Sequence, residues 1–223
     1  MSGEDTQLGD FIKGRHHFLQ TYCKEHGLDY DATWEKVKTE CLRLAARPDR
    51  QAFLEERVFS GVMLASTMFP DWLDKVLLEA LTIVLKGPGA PMTTTSSRHP
   101  CIAFEAGRSN AHRQADTVFK LYFSGKQPEE WLKVQFPTIN RKCYGDEFVK
   151  RMSVEEAGPK HFRVVIDNRG VGKASQTDCA TGIGYLYGAL ERLGAHDPVV
   201  THDRCGSAPG SLDKTCVFDV TWK

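Results

Sequence analysis

The feature that most constrains this chain is a group of potential metal ligands, Cys179, His202, Cys205 and Cys216, in the last 45 of its 223 residues. Cys179 falls in the first turn of a predicted helix, where the positive helix N-terminus favours a thiolate. The other three flank a predicted hairpin and can reach that turn. Three thiolates and an imidazole complete a tetrahedral Zn²⁺ site. The sequence therefore predicts structural zinc, with burial of the cysteines as small apolar side chains as the alternative.

Charge and composition restrict the possible partners and compartment. The 29 basic residues balance the 29 acidic ones, so no overall field attracts nucleic acid or anionic lipid. The first ten residues are polar and acidic, unlike a secretory leader, and the cysteine count of seven is odd. The most apolar stretch, residues 58–85, is interrupted by proline and charged residues. We therefore expect a cytoplasmic protein with no direct nucleic-acid partner and no membrane span.

The apolar pattern divides the chain into two regions. Apolar residues recur at intervals of three and four through residues 8–44, 53–68 and 72–85, which predicts amphipathic helices. Residues 87–100 are rich in glycine, proline, threonine and serine and predict a linker. We therefore expect a helical N-terminal region at residues 1–95 and a second domain at residues 101–223.

The second region combines helices with paired strands. Helices are predicted at residues 111–123, around Trp131 with an end before Pro137, and from an N-cap at Thr177 to Gly194. Alternating apolar residues at 148–154 and 162–166 predict one hairpin, and residues 199–204 and 216–222 predict a second. The predicted fold class is α/β (α+β): N-terminal helices, then a mixed helix and antiparallel-sheet ligand-binding domain with a zinc-stapled C-terminal hairpin.

Three glycines interrupt the last predicted helix. Gly182, Gly184 and Gly188 each cost about 1 kcal/mol relative to alanine in a helix interior. Close approach of another backbone is the usual compensation. The sequence predicts packing against the rest of the domain or against the same helix of a second subunit, and so leaves a homodimer open.

Aromatic residues are frequent in the second region and predict an apolar ligand cavity. Trp131, Tyr144 and Tyr185 are the preferred lining residues because each carries a polar tip that needs a partner when buried. Ordinary core packing is the alternative for each of them. The predicted ligand-binding residues are Phe119, Tyr122, Trp131, Tyr144, Phe148 and Tyr185.

The C-terminal segments 178–194, 201–205 and 214–222 resemble the 4-vinyl reductase-type domain, which is related to the aromatic-sensing N-terminal domains of phenol- and xylene-responsive bacterial regulators. The resemblance extends over residues 104–222. It implies an α/β fold around an apolar pocket, dimerisation, and zinc ligation by Cys179, Cys205 and Cys216. His202 stands where the family has an acidic residue, and Asp203 remains an alternative fourth ligand.

These features together predict a sensor of small molecules. We expect binding of a hydrocarbon, aromatic or tetrapyrrole-like ligand, a structural zinc site, and signalling through a dimer or a partner protein. The alternative is an enzyme that uses Cys179 as nucleophile and His202 as base, or a metal centre, such as a tetrapyrrole-modifying reductase accessory or a cysteine-dependent hydrolase. A metal fully ligated by protein has no open position for substrate, which favours the non-catalytic interpretation.

Overall fold

A computed structural model describes residues 6–60, 67–169, 175–208, 211 and 214–223. The chain divides into two compact units, Met1–Met92 (unit 1) and Thr93–Lys223 (unit 2). Among the described residues, no helix has the length and apolar character needed to cross a membrane.

Unit 1 is mainly helical. Asp29 begins its second helix by accepting a hydrogen bond from the backbone N–H of Ala32, as an N-cap does. A short antiparallel pair of strands joins the start of the unit to the segment before its last helix. The predicted helix at residues 53–68 falls partly outside the described residues. The elements are β1 (Thr6–Leu8), α1 (Gly9–His26), α2 (Tyr30–Ala45), α3 (Pro48–Phe53), a π-helical turn (Leu54–Val58), β2 (Met68–Pro70) and α4 (Asp71–Lys86).

Unit 2 contains two long helices, a run of short helices and an antiparallel sheet. The described elements are α5 (Ile102–Asp116), α6 (Lys120–Phe123), α7 (Pro128–Glu130), a π-helical turn (Trp131–Gln135), α8 (Phe136–Tyr144), α9 (Asp146–Val149), β3 (Met152–Gly158), β4 (His161–Asp167), α10 (Gln176–Arg192), β5 (Val199–Arg204) and β6 (Thr215–Thr221).

The sheet has the strand order β3-β4-β6-β5, with every neighbouring pair antiparallel. Alternate residues of the two central strands, including Phe162, Val164, Phe218 and Val220, are buried. The two predicted hairpins correspond to the β3–β4 and β5–β6 pairs. The prediction of a mixed α+β fold with N-terminal helices is confirmed.

Helices α5 and α10 pack unusually closely. A Cβ atom added to Gly184 would lie 1.9 Å from the carbonyl oxygen of Phe104, and one added to Gly188 would lie 2.7 Å from that of Arg108. Neither distance is compatible with a side chain unless the backbones separate. The two glycines are therefore accounted for by packing within unit 2, one of the two explanations that the sequence left open.

Two predicted helix boundaries are wrong for local reasons. Ser175, not Thr177, is the N-cap of α10: its hydroxyl accepts from the N–H of Asp178, and the Asp178 carboxylate accepts from the N–H of Ser175. The helix expected to end before Pro137 continues through it. Phe136 donates to the carbonyl of Trp131 in the π-helical turn, and this wider turn precedes the residue that lacks an N–H.

Candidate functional site: a buried cluster of thiols and an imidazole

Three elements of unit 2 bring the predicted metal ligands together. Cys179 lies in the first turn of α10, four residues after the N-cap Ser175. Cys216 occupies a buried position of β6, and His202 extends from β5. The pairing of β5 with β6 shifts register between Thr201 and Arg204, a bulge that lies at His202. We name these side chains, together with Cys205, the Cys₃His cluster.

Cys205 reaches the cluster through a tight connection. It directly follows β5, and the next residue, Gly206, passes against the beginning of β6. A Cβ atom on Gly206 would lie 2.4 Å from the backbone carbonyl carbon of Lys214, so a residue with a side chain does not fit without a backbone shift. This glycine thereby sets the approach of Cys205 to Cys216.

The dimensions of the cluster suit a single ion. One ligand atom from each of Cys179, His202, Cys205 and Cys216 lies within 4.8 Å of all the others. The Sγ atom of Cys179 is 3.7 Å from that of Cys216 and 3.9 Å from that of Cys205. A tetrahedron with metal–sulfur bonds of about 2.3 Å has edges of about 3.8 Å. The observed sulfur separations match those edges.

Polar neighbours surround the sulfurs. Asn168 Nδ2 donates to Cys216 Sγ at 3.1 Å, and Ser207 Oγ lies 3.7 Å from the same sulfur. The imidazole of His202 stacks on Phe218 with 4.3 Å between ring centroids. Its Nε2 is buried and has no hydrogen-bond partner among the described residues. Leaving a buried nitrogen without a hydrogen bond reduces the free energy of unfolding by about 1–3 kcal/mol. The side chain of Asp203, the alternative fourth ligand, lies outside the described residues.

The thiols differ in their tendency to ionise. A hydrogen bond from Cys179, assisted by His202 and Ser207, lowers the pKa of Cys216 to about 3 against the opposing effect of burial. The same hydrogen bond, together with burial and the neighbouring sulfur charges, raises the pKa of Cys179. The hydrogen bond between Cys179 and Cys216 therefore favours a thiolate on one of the two sulfurs and opposes a second charge on the other.

The predicted ligand-binding aromatics separate into three groups. Trp131 and Tyr185 lie together, with 6.5 Å between ring centroids. Phe119 contacts Tyr122, and Tyr144 contacts Phe148. Trp131, Tyr185 and Phe119 are buried, whereas Tyr122, Tyr144 and Phe148 are partly exposed. The ring contacts thus join Trp131 to Tyr185, Phe119 to Tyr122, and Tyr144 to Phe148.

Two buried amides of α5 were not among the residues expected to form the site. Gln114 on α5 is fully buried and accepts a hydrogen bond of 2.8 Å from the Tyr185 hydroxyl. Asn110, one turn earlier on α5, is also buried. The signal available was the periodicity of α5, because the two amides lie four residues apart on one face among small apolar residues.

Solved structures of H-NOX domains have the same fold. One is an oxygen-binding H-NOX domain related to soluble guanylate cyclases, in its oxygen complex, with TM-score 0.57, 13% identity, and coverage of 97% of this chain and 95% of that one. An Fe(II) unliganded mutant H-NOX protein from K. algicida gives TM-score 0.59 and 15% identity, covering 97% and 96%. A member studied for heme distortion gives 0.58 and 13%, covering 97% and 95%. No protein-family model and no curated protein matches the sequence.

These comparisons correct two expectations. The resemblance to the 4-vinyl reductase-type domain and to phenol- or xylene-responsive regulators is wrong, because the similar structures are H-NOX domains. The prediction of structural Zn²⁺ as the cofactor is also wrong, because the cofactor named for the similar proteins is heme. At 12–15% identity the likeness establishes the fold of this chain.

The histidines of this chain do not fit a heme site. A heme held by histidine needs a buried imidazole with a free ring nitrogen. The side chains of His112 and His161 are 35% and 33% exposed, and the buried His202 lies among three sulfurs that occupy the space beside its ring. His16 stacks on a tryptophan, and His17, His26, His99 and His196 are exposed. Apart from His202, which belongs to the Cys₃His cluster, these histidines offer a heme iron no buried ring nitrogen.

Proposed function

We propose that this chain is a small-molecule sensor domain with the H-NOX fold, in which protein side chains instead of a porphyrin hold the metal centre. The observation that carries the proposal is the convergence of the Cys₃His cluster, whose ligand atoms all lie within 4.8 Å of one another. The ligand set is the one that thiophilic transition ions prefer. The ion itself is to be identified by measurement.

The fold supports the sensing role. The similar H-NOX proteins are described as binding oxygen and heme, which makes small-molecule binding the activity associated with this fold. In this chain the predicted centre joins α10 to the β5–β6 hairpin, and α10 also carries Tyr185 of the aromatic group. A ligand that moves α10 would therefore change the geometry of the cluster, which is how a binding event would reach it.

The cysteine-dependent enzyme is the weaker alternative. The nucleophile expected from the sequence, Cys179, has a raised pKa, which disfavours its thiolate. Cys216 instead has the lowered pKa that a nucleophile needs, and His202 lies beside it. Cys216 and His202 are each only 1% exposed, however, so substrate has no access to the thiolate. Burial of the reactive pair favours metal ligation over nucleophilic attack.

Metal analysis of the full chain, purified without chelators or oxidants, tests the proposal. We expect about one ion per chain, and Co²⁺ added to the demetallated protein should produce sulfur-to-cobalt charge-transfer absorption. Cys205→Ser removes one sulfur with little change in volume. It should lose the ion and lower the melting temperature by more than about 10 °C, because metal binding in such sites supplies folding free energy.

Cys143→Ser is the matched control, since Cys143 is a buried cysteine of α8 and the same atom is exchanged in the same unit. This variant should keep its ion. Equal metal content in Cys205→Ser and the parent protein would refute the centre. A heme spectrum in the purified protein would refute the porphyrin-free form of the proposal.

A further inference from the structure

We infer that unit 2 contains a second, distinct binding site, for a small uncharged molecule that carries one hydrogen-bond acceptor on an apolar body. The site consists of Asn110, Gln114, Trp131 and Tyr185, which we name the donor cluster. This inference rests on the proposed sensor function and specifies the class of its ligand. The observation behind it is that two fully buried donors of this cluster have no acceptor.

The first such donor is the indole N–H of Trp131. Its side chain is 0% exposed, yet Nε1 has no hydrogen-bond partner among the described residues. Buried tryptophan N–H groups normally find a partner, because leaving one unmade costs the full desolvation of the group. Trp131 also begins the π-helical turn Trp131–Gln135, a distortion often found at functional sites.

The second donor is the amide nitrogen of Asn110. Arg113 donates to its Oδ1 at 3.2 Å, which assigns the oxygen side of the amide and leaves Nδ2 on the other side. Asn110 is 1% exposed, and Nδ2 has no partner within the described part of the chain. A buried donor without a protein partner calls for an explanation, and a bound acceptor or an internal water supplies one.

The remaining members connect these donors. Gln114 lies one turn after Asn110 on α5 and accepts from the Tyr185 hydroxyl at 2.8 Å, so this pair is already satisfied and rigid. Tyr185 in turn faces the ring of Trp131. Phe123 and Phe136 complete the apolar surroundings, with centroids 5.1 and 5.4 Å from that of Trp131. A ligand bound here would contact aromatic rings and hydrogen-bond donors.

The chemistry of the cluster selects the ligand. Asn110, Gln114 and Trp131 are uncharged, and the nearby guanidinium of Arg113 is engaged with Asn110. A carboxylate or phosphate would lose its hydration without a free cation in exchange. A carbonyl or ether oxygen supplies the acceptor that these donors lack, and the rest of such a molecule is apolar. Ketones, aldehydes and cyclic ethers of small size are the matching class.

Cyclohexanone and methylenecyclohexane form a matched pair of probes, because they have nearly the same shape and only the first has an acceptor. Both are titrated into the ¹⁵N-labelled full chain as purified, and the indole resonance of Trp131 is followed. Cyclohexanone should shift that resonance in a saturable way. Methylenecyclohexane should bind at least about tenfold more weakly, since a site built to hydrogen-bond rejects the analogue that lacks the acceptor.

Two substitutions test the donors. Trp131→Phe keeps an aromatic ring without the N–H and should reduce cyclohexanone binding about tenfold, to the level of methylenecyclohexane. Trp222→Phe is the control, because Trp222 stacks on Phe162 of the sheet, and it should leave the affinity unchanged. If Trp131→Phe does not fold, Asn110→Leu removes the other donor at similar volume and should weaken cyclohexanone binding by a similar factor.

Equal affinity for the two probes, or an indole resonance that does not respond to cyclohexanone, would overturn the inference and leave the donors hydrated by an internal water. Metal content is measured on the same samples. Protein that holds its ion but ignores cyclohexanone rejects the donor cluster alone. Protein that binds cyclohexanone without an ion rejects the metal centre alone.

Discussion

The clearest examples of buried polar groups in the two units of this protein differ in their partners. In unit 1 the buried guanidinium of Arg15 meets the buried carboxylate of Asp74 through hydrogen bonds of 2.7 and 2.8 Å. In unit 2 the buried Asn110, Trp131 and His202 each retain a nitrogen without a partner among the described residues. A buried group that finds its partner within the fold serves the fold. A buried group whose partner is not among the described residues leaves a position that a ligand or an internal water can fill.

The first prediction concerns the buried Arg15–Asp74 pair of unit 1 and has the largest expected effect on stability. Asp74→Asn leaves Arg15 charged and buried with a weaker partner, and should reduce the free energy of unfolding by about 3–5 kcal/mol. Chemical denaturation measures the change. Metal content and cyclohexanone affinity should remain those of the parent under conditions where the variant is folded, because the pair belongs to unit 1.

Asp49→Asn provides the control for that substitution. Asp49 pairs with Arg47 at 2.7 Å, but both side chains are more than 60% exposed, at 64% and 63%. Exposed ion pairs contribute little, so the stability should barely change. A similar loss in the two variants would mean that burial is not what distinguishes the Arg15–Asp74 pair.

The second prediction concerns the helix contact that positions both sites of unit 2. Helix α5 carries Asn110 and Gln114, and α10 carries Cys179 and Tyr185. In Gly184→Ala the new methyl group would lie 1.9 Å from the Phe104 carbonyl oxygen, so the helices must separate. We expect a loss of about 1–3 kcal/mol in stability and a weakened response of the Trp131 indole to cyclohexanone.

Gly182→Ala is the matched control on the same helix. A methyl group there would meet only the Phe218 ring, at 3.6 Å, which is ordinary contact. The substitution removes the conformational cost of glycine and should stabilise the protein by up to about 1 kcal/mol. Equal destabilisation by the two alanines would show that the α5–α10 approach is not as close as the structure places it.

The sequence predicts the sheet and the Cys₃His cluster well because both depend on local patterns. Alternating residues such as Phe162 and Val164 identify strands, and a short hairpin fixes their pairing. Once the β5–β6 pair and α10 are placed, Cys179, His202 and Cys216 have few arrangements left. The approach of these ligands could therefore be predicted, whereas the cofactor could not, because residue types alone do not identify an ion.

The donor cluster could not be predicted for the opposite reason. Whether Asn110 and Gln114 are solvated or buried depends on the packing of α5 against α10, a contact between segments more than 70 residues apart in the chain. An asparagine on a helix is usually exposed, and the spacing of Asn110 and Gln114 along α5 does not by itself show that their face is buried. The missing acceptors of Asn110 and Trp131 become visible only when every neighbour is known.

The prediction with the smallest expected effect concerns Glu191 of α10, a partly exposed carboxylate that is hydrogen-bonded within unit 2. Burial by itself would raise the pKa of its carboxyl, but hydrogen bonds from His112 and Arg108 outweigh it and lower the pKa. A lowered pKa in the folded state contributes stability above the unfolded value of about 4.3 and loses it as the pH falls below that value. The difference in unfolding free energy between the parent and Glu191→Gln should therefore shrink as the pH falls below about 4.5. Because Glu191 is partly exposed, we expect a smaller difference than for Asp74→Asn.

A difference that is unchanged down to pH 3 would show that the carboxylate of Glu191 is not held by these partners, and that unit 2 contains fewer internally satisfied charges than its structure indicates.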